Sequence, residues 1–393
     1  SEMCIRDRGL QPAGDDGYFQ RFPITRTALA EVPRLTLRLS DGSPLGEPIY
    51  GRDFREPMVG ANGGAVKAQV VWVRDDKYTD MDLGGKVVLR QAKGDVESEV
   101  RRAIEHGAGG LLLVTDVRAE EFRRRVPLAL TEAFTETIPV LELTREAFER
   151  LVEEAGYTLP DFTASPPALP LRLEAEMAVP LEVQPAITAN VLGLIPGSDP
   201  ERAGELVILS AHYDHVGRGP DGTLYPGADD DASGVGVLLE VARLWRERNV
   251  RPARSVLFAA WGAEELGQVG SAYYLAHPVR PLTETVGLLH LDGVGAGTGF
   301  FLTMQGDLTR EALLRLYLEN SAEQVGGRLD FGKVAEVSDH TPFQERDVPA
   351  CLLTWKGSAD DANSPEDTPE RVEPAKLSKT GRIAALALRA LAE

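Results

Sequence analysis

Two rhythms of apolar and polar positions run along the chain, and one gives way to the other near residue 182. From about Pro33 to Leu181 the apolar residues come mostly in short β-type runs: "LTLRL", "AQVVWV", "GKVVLR", "GLLLV" and "IPVLEL". Two stretches keep a helical period instead. "ESEVRRAIEHGA" predicts a helix with Val100, Ile104 and Ala108 on one face, and "REAFERLVEEAG" one with Phe148, Leu151 and Val152 inward. "EEFRRRV" reads as a solvated helix face. The six prolines from Pro160 to Pro185 exclude regular helix and predict an extended linker, with a domain boundary near 182.

Beyond that boundary strands and helices alternate. "ELVILSA", "RSVLFAAWGA", "TVGLLHL" and "VPACLLTW" read as buried strands. Between and after them, "ASGVGVLLEVARLWRER", "SAYYLAHP", "TREALLRLYLENSAEQV" and "PAKLSKTGRIAALALRALAE" read as helices, the last with Pro374 in its first turn. Apolar strands separated by helices predict an α/β domain, with a mostly parallel sheet and helices on both faces.

A length of 393 residues allows two or three domains with ample core. The net charge of -19 argues against a nucleic-acid binder, which needs a basic face to meet phosphate, and disfavours an anionic membrane surface; it suits metal ions and free amines. Cys4 and Cys351 fit no zinc-ribbon or disulfide framework. No apolar run reaches the roughly 18–20 residues of a membrane span. The start, "SEMCIRDRGL", has no hydrophobic leader and reads as truncated.

Chemistry gathers where the predicted strands end. "VILSA" runs into His212, "LFAAWGA" into Glu264 and Glu265, and "GLLHL" into Asp292. "PGADDDASG" places Asp229, Asp230 and Asp231 just before a helix. Ligands of such sheets bind at the carboxyl ends of the strands, so these groups converge on one rim. Taken singly they have plainer readings: Asp230 or Asp231 as a helix N-cap, the Glu pair as solvated surface, His212 as a hydrogen-bonded core histidine. Jointly they point to a divalent metal, because unpaired carboxylates crowded together repel.

Five ordered stretches, "HYDHVG", "PGADDDASGVGVLLEVAR", "AAWGAEELGQVGSAYY", "HLDGVG" and "SDHTPF", resemble the M28 zinc aminopeptidases, which are co-catalytic metallopeptidases. The resemblance covers about residues 186–393, and "GLQPAGDDGYFQRFPI" is similar to the family's lead into its first strand. Through "DLGGKVVLRQAKGD", "AIEHGAGGLLLVTD" and "IPVLELTREAFERL", residues from about 40 to 182 resemble the protease-associated domain inserted into such enzymes. The implied organisation is an N-terminal lead over 1–39, an inserted β-rich α/β domain over 40–182 and a peptidase domain over 183–393.

The resemblance implies two zinc ions bridged by Asp230, with His212 and Asp292 completing one site and Glu265 binding the other. It makes Glu264 the general base toward a metal-activated water, and places Asp214 behind His212 to orient its ring. It also implies a cis peptide bond between Asp230 and Asp231, leaves Asp229 the least constrained of the three, and puts His340 near the site, positioning substrate or bonded to Asp339. The family's fifth ligand is a histidine; here the matching position, in "ANSPEDTPERV", is Asn363, a weaker neutral donor, so a weakened Glu265 site is expected. Either Asn363 or a water completes that shell, one tight metal suffices, or activity is lost. The implied function is release of N-terminal residues from peptide substrates, in an extracellular or periplasmic setting. A carboxypeptidase, a glutaminyl cyclase and a non-catalytic binding protein are the competing readings.

Overall fold

Strand segments that are largely apolar on both faces leave a sheet no solvent face, and the second half of the chain builds such a sheet. The computed structural model describes residues 6–7, 9–57, 63–74, 78, 82–125, 129–130, 138–163, 166–307, 309–332, 337–358 and 362–393; Cys4 lies outside them. Contacts divide the chain into two units: one of 1–24, 186–217 and 224–393, the other of 25–185 and 218–223.

In the first unit the strands β1 (Leu206–His212), β2 (Ser255–Trp261), β3 (Thr285–Leu291) and β4 (Ala350–Trp355) run parallel in the order β2-β1-β3-β4. Leu302–Gln305 adds antiparallel to β4 and Leu181–Ile195 antiparallel to β2, so the sheet is mixed at its flanks and parallel at its centre. On one face Val207, Leu209 and Ala211 of β1 pack with Leu289 and Leu291 of β3 against residues of the helices α1 (Gly234–Glu247), α3 (Ala312–Gln324) and α5 (Pro374–Ala392). On the other, Leu206, Ile208 and Leu288 meet Tyr274 of α2 (Val269–Ala276) and Phe343 of α4 (Thr341–Glu345). Helices on both faces are what the apolar strands called for, each fully buried Leu or Val stabilising the fold by about 1.5–3 kcal/mol.

The second unit holds its own sheet, in the order Arg34–Leu39, Ala168–Val179, Gly64–Val73, Val87–Gln91, Gly110–Thr115, Val140–Thr144 and Phe54–Arg55. Its centre, from Gly64–Val73 to Val140–Thr144, is parallel. Two of its segments depart from the sequence expectation. The proline-rich stretch is no linker along its length: Ala168–Val179 pairs with strands on both sides, and Leu171, Leu173, Ala175, Met177 and Val179 are buried at alternate positions. That period of two outweighed the prolines, and Pro170 sits where the pairing register shifts. In the helix Val96–Glu105 the inner face is Val100 and Ala103, while Ile104 is 40% exposed. Phe148, Leu151 and Val152 of Arg145–Glu154 are buried as expected.

Candidate metal centre

Three adjacent parallel strands end at the same rim, and each delivers a charged side chain there. His212 closes β1, Asp292 follows β3 directly, and Glu264 and Glu265 follow β2 within four residues. The fourth contribution is the segment Ala228–Ser233 that leads into α1 and carries the three aspartates, with a cis peptide bond between Asp230 and Asp231.

Two groups of metal-binding donors form, each with its donor atoms within 4.8 Å of one another: His212, Asp230 and Asp292, and His215, Asp230 and Glu265. Asp230 belongs to both. In the first, His212 Nε2 lies 3.0 Å from Asp230 Oδ1 and 3.8 Å from Asp292 Oδ1. His212 Nδ1 donates to the main-chain oxygen of Asp214 at 3.1 Å, which turns Nε2 toward the carboxylates. In the second, His215 Nδ1 approaches Glu265 Oε1 to 2.6 Å.

The donor atoms of each group are crowded together. His212 Nε2 and both ring nitrogens of His215 are buried, and among the described residues none is aligned for a hydrogen bond despite these short approaches. Burial, together with the neighbouring acids, pushes the carboxyls of Asp230, Asp231 and Glu264 above the usual range. Burial opposes charge on the two histidines, yet Asp230 and Asp292 beside His212, and Glu265 beside His215, raise both above an ordinary imidazole. Burial opposes ionisation of Asp292 too, but His212 holds its carboxyl well below the usual range. Neutral imidazole and carboxylate oxygen, three donors to a group, is the chemistry of zinc ligation, and the residues present fit that ion.

The remaining expected residues fall as follows. Glu264 is 8% exposed and belongs to neither donor group; its Oε1 accepts from Gln268 Nε2 at 2.9 Å. The Asp214 carboxylate lies 4.0 Å from His212 Nδ1 and instead accepts from the main-chain N–H groups of Glu264 (3.0 Å) and Glu265 (3.3 Å), fixing the turn that carries both acids. The Asn363 side-chain amide stands beside Glu265, and with its oxygen and nitrogen assigned by hydrogen bonding the nitrogen donates to Oε1 and Oε2 at 3.0 and 2.9 Å. A carboxylate only accepts, so it draws the amide N–H rather than the carbonyl.

Asp229 is not the least constrained aspartate. It is 3% exposed, and its Oδ1 accepts from the N–H groups of Gly295 (2.6 Å) and Ala296 (2.9 Å). Asp231 accepts from His212 N and Gly234 N, both at 3.0 Å, tying the end of β1 to the start of α1. His340 is fully buried, and among the described residues neither of its ring nitrogens has a hydrogen-bond partner, Asp339 included; Asp339 accepts from Ser271 Oγ. Burial lowers the His340 pKa to about 4 and raises that of Asp339 to about 7.

Sequence reasoning missed two residues. His215 lay in plain view in "HYDHVG". Its place is built in by Gly227, at φ 65°, where a Cβ would come within 2.6 Å of the His215 ring. Asp367, in "SPEDT", accepts from Asp229 N at 2.8 Å through Oδ1 and from Asp230 N at 3.0 Å through Oδ2, clasping the aspartate segment from outside.

Comparison with known proteins bears on the family and the fold. The curated relatives include the aminopeptidase YwaD of Bacillus subtilis strain 168, 28% identical over 199 residues, 47% of this chain and 40% of that protein. Another is leupeptin-inactivating enzyme 1 of Streptomyces exfoliatus, 29% identical over 167 residues, 41% of this chain and 34% of that protein. The matched stretch thus spans well under half the length of either relative. Among solved structures, an aminopeptidase from Aneurinibacillus sp. strain AM-1 superposes with a TM-score of 0.69 at 22% identity, over 100% of this chain and 87% of that one. BSAP, a zinc aminopeptidase from Bacillus subtilis, gives 0.66 at 21% identity, over 98% and 86%. These likenesses establish the shared fold. The model of peptidase family M28 matches residues 190–388, half of the chain and the whole stretch from the strand flanking β2 to the closing helix that frames the two donor groups; the chain therefore belongs to that family.

Proposed function

We propose that this chain is a zinc-dependent peptidase that removes N-terminal residues from peptides. The observation that carries the reading is the sharing of Asp230 by two complete three-donor groups. His212, Asp230 and Asp292 would hold one zinc, and His215, Asp230 and Glu265 the other. Zinc bound there supplies a Lewis acid that polarises a carbonyl and acidifies a water.

The protein's own part is to hold these donors and to move a proton. Glu264 is the group suited to the proton. It sits in the turn next to Glu265, outside both donor groups, and burial with Asp339 and Asp292 nearby raises its pKa, while His212 works against the shift. A carboxylate so raised takes a proton from water and returns it to a leaving amine at neutral pH, a contribution typically of about 10²–10⁴ in rate. Gln268 keeps Oε1 oriented, and Asp214 anchors the main chain of the turn. The names of the relatives, aminopeptidases among them, support an exopeptidase acting at a free amino group.

The test is hydrolysis of aminoacyl anilides and short peptides by purified protein, with and without chelator, beside their N-acetylated counterparts. Chelator-sensitive cleavage confined to free amino termini is expected. A zinc-loaded protein that cleaves neither series overturns the peptidase reading, and equal cleavage of acetylated peptides overturns the exopeptidase part.

A further inference from the structure

Behind the donor groups lies a second row of polar side chains that the proposed reaction does not use. Alternate residues of a strand share a face, so Leu206, Ile208, Ser210 and His212 of β1 point one way, as do Leu288 and His290 of β3. β1 and β3 are neighbours, and Ser210 lies opposite His290 in their register. Passing toward the rim, the face changes from apolar (Leu206, Ile208, Leu288) to a polar layer (Ser210, His290) and then to the donors His212 and Asp292.

The polar layer is wired in one direction. Ser210 Oγ is 2.9 Å from His290 Nδ1, His290 Nε2 is 2.9 Å from Ser338 Oγ, and Ser338 Oγ donates to Asp292 Oδ2 at 2.7 Å. Ser210, His290 and Ser338 are 0%, 0% and 2% exposed, so the row is shut off from bulk solvent. A hydroxyl has one proton. Ser338 gives its proton to the carboxylate, so it must accept from His290, which places the imidazole proton on Nε2. Nδ1 is then the acceptor of the Ser210 hydroxyl. One oxygen of Asp292 is thereby engaged, and Oδ1 is the one left facing His212.

We propose that His290 is a positioning residue for the metal centre: with Ser210 behind it and Ser338 in front, it fixes which oxygen of Asp292 serves as ligand. The proposal rests on the reading above that Asp292 holds a metal. Ser338, bonded directly to a ligand, is a partner of the kind whose removal changes metal affinity by about 10–100-fold, and His290 acts through it.

The experiment titrates chelator-stripped full-length protein with Co²⁺, recording the dissociation constant and the visible absorption of the bound ion. The variants are Ser338→Ala, Ser338→Thr, Ser210→Ala, His290→Phe and the double variant Ser338→Ala with His290→Phe. Circular dichroism in chelator reports on folding separately. Ser338→Ala should weaken Co²⁺ binding by about tenfold or more and alter its absorption, His290→Phe should shift both in the same direction by no more than that, and Ser338→Thr should keep the parent behaviour. Because the bonds act in series, the double variant should lose no more than the worse single one. Parent-like affinity and absorption in His290→Phe overturn the proposal, as do losses that simply add in the double variant. If His290→Phe does not fold, Ser210→Ala decides: parent-like binding and absorption overturn the proposal, and a loss shared with Ser338→Ala sustains it. Failure of the parent itself to bind Co²⁺ refutes the metal centre, a different result.

Discussion

Replacing His215 with alanine separates two accounts of the second metal group. In one, Asn363 occupies the place of the family's histidine ligand and binds weakly. In the other, the imidazole comes from the opposite side, from His215, and Asn363 steadies Glu265 through its amide N–H. The structure favours the second: His215 Nδ1 reaches Glu265 Oε1 at 2.6 Å, both ring nitrogens are buried and unsatisfied, and Gly227 makes room for the ring. Asn363 in contrast satisfies both carboxylate oxygens when its amide is assigned with the nitrogen toward Glu265. Removing an outer partner of a ligand costs about 10–100-fold in affinity, or roughly 1.4–2.7 kcal/mol. Removing one of three donors takes away a bond to the ion itself and must exceed that range. Zinc titration of stripped protein against a chromophoric chelator should therefore give two bound ions in the parent. Asn363→Ala should keep both with the weaker constant raised by about 10–100-fold, and His215→Ala should bind one ion. Asn363→His, which adds an imidazole beside Glu265, should tighten the second ion. The reasoning is refuted if Asn363→Ala loses the second zinc while His215→Ala retains it.

Glu264→Gln should lower kcat by about 10²–10⁴-fold with zinc content unchanged, since Glu264 lies outside both donor groups; loss of metal, or activity within a few-fold of the parent, contradicts its role as proton carrier. Asp367→Ala strips the acceptor from the main-chain N–H groups of Asp229 and Asp230. It should destabilise the stripped protein by about 1–3 kcal/mol per buried donor left unpaired, measured by urea unfolding, and weaken zinc binding as well. Glu311, beside α3, is 1% exposed, and burial lifts its pKa to about 7 although Gln344 Nε2 donates to it at 2.8 Å. The folded pKa lies above the unfolded value, so its contribution is fully present below about pH 4.5 and is lost as pH rises through about 7. Glu311→Gln should flatten that part of the stability profile and raise stability at pH 8; an unchanged profile would count against the assignment.

What was legible in the sequence was whatever sits at the end of a strand. β1, β2 and β3 announce themselves as largely apolar runs, and the residues at or just past their ends, His212, Glu264, Glu265 and Asp292, had to share a rim once the sheet was parallel. The fold class followed from the same runs. Residues whose role depends on how a loop returns were not legible. His215 is three positions past a strand end, where periodicity no longer says which way a side chain points. Asp367 lies more than a hundred residues from the aspartates it clasps. The proline-rich stretch misled for a related reason: a strand partner on each side of Ala168–Val179 is a tertiary fact, and local stiffness of the chain is silent about it.

The three aspartates show why a local reading of charge falls short. As a run, Asp229, Asp230 and Asp231 look like one acidic patch, yet their carboxylates serve three unrelated partners. Asp229 accepts from Gly295 and Ala296, Asp231 from His212 and Gly234, and only Asp230 is left toward the donor groups. The outer two spend their acceptors on main-chain N–H groups of other segments and so lock in place the loop that presents the middle one. A run of like charge is tolerable in a buried loop on those terms: two members neutralised by main-chain dipoles, and one facing imidazole and, when it binds, zinc. The same logic assigns each aspartate a distinct failure. Loss of Asp230 should abolish binding of both ions with the fold intact, whereas loss of Asp229 or Asp231 should cost stability in the stripped protein before any metal is added.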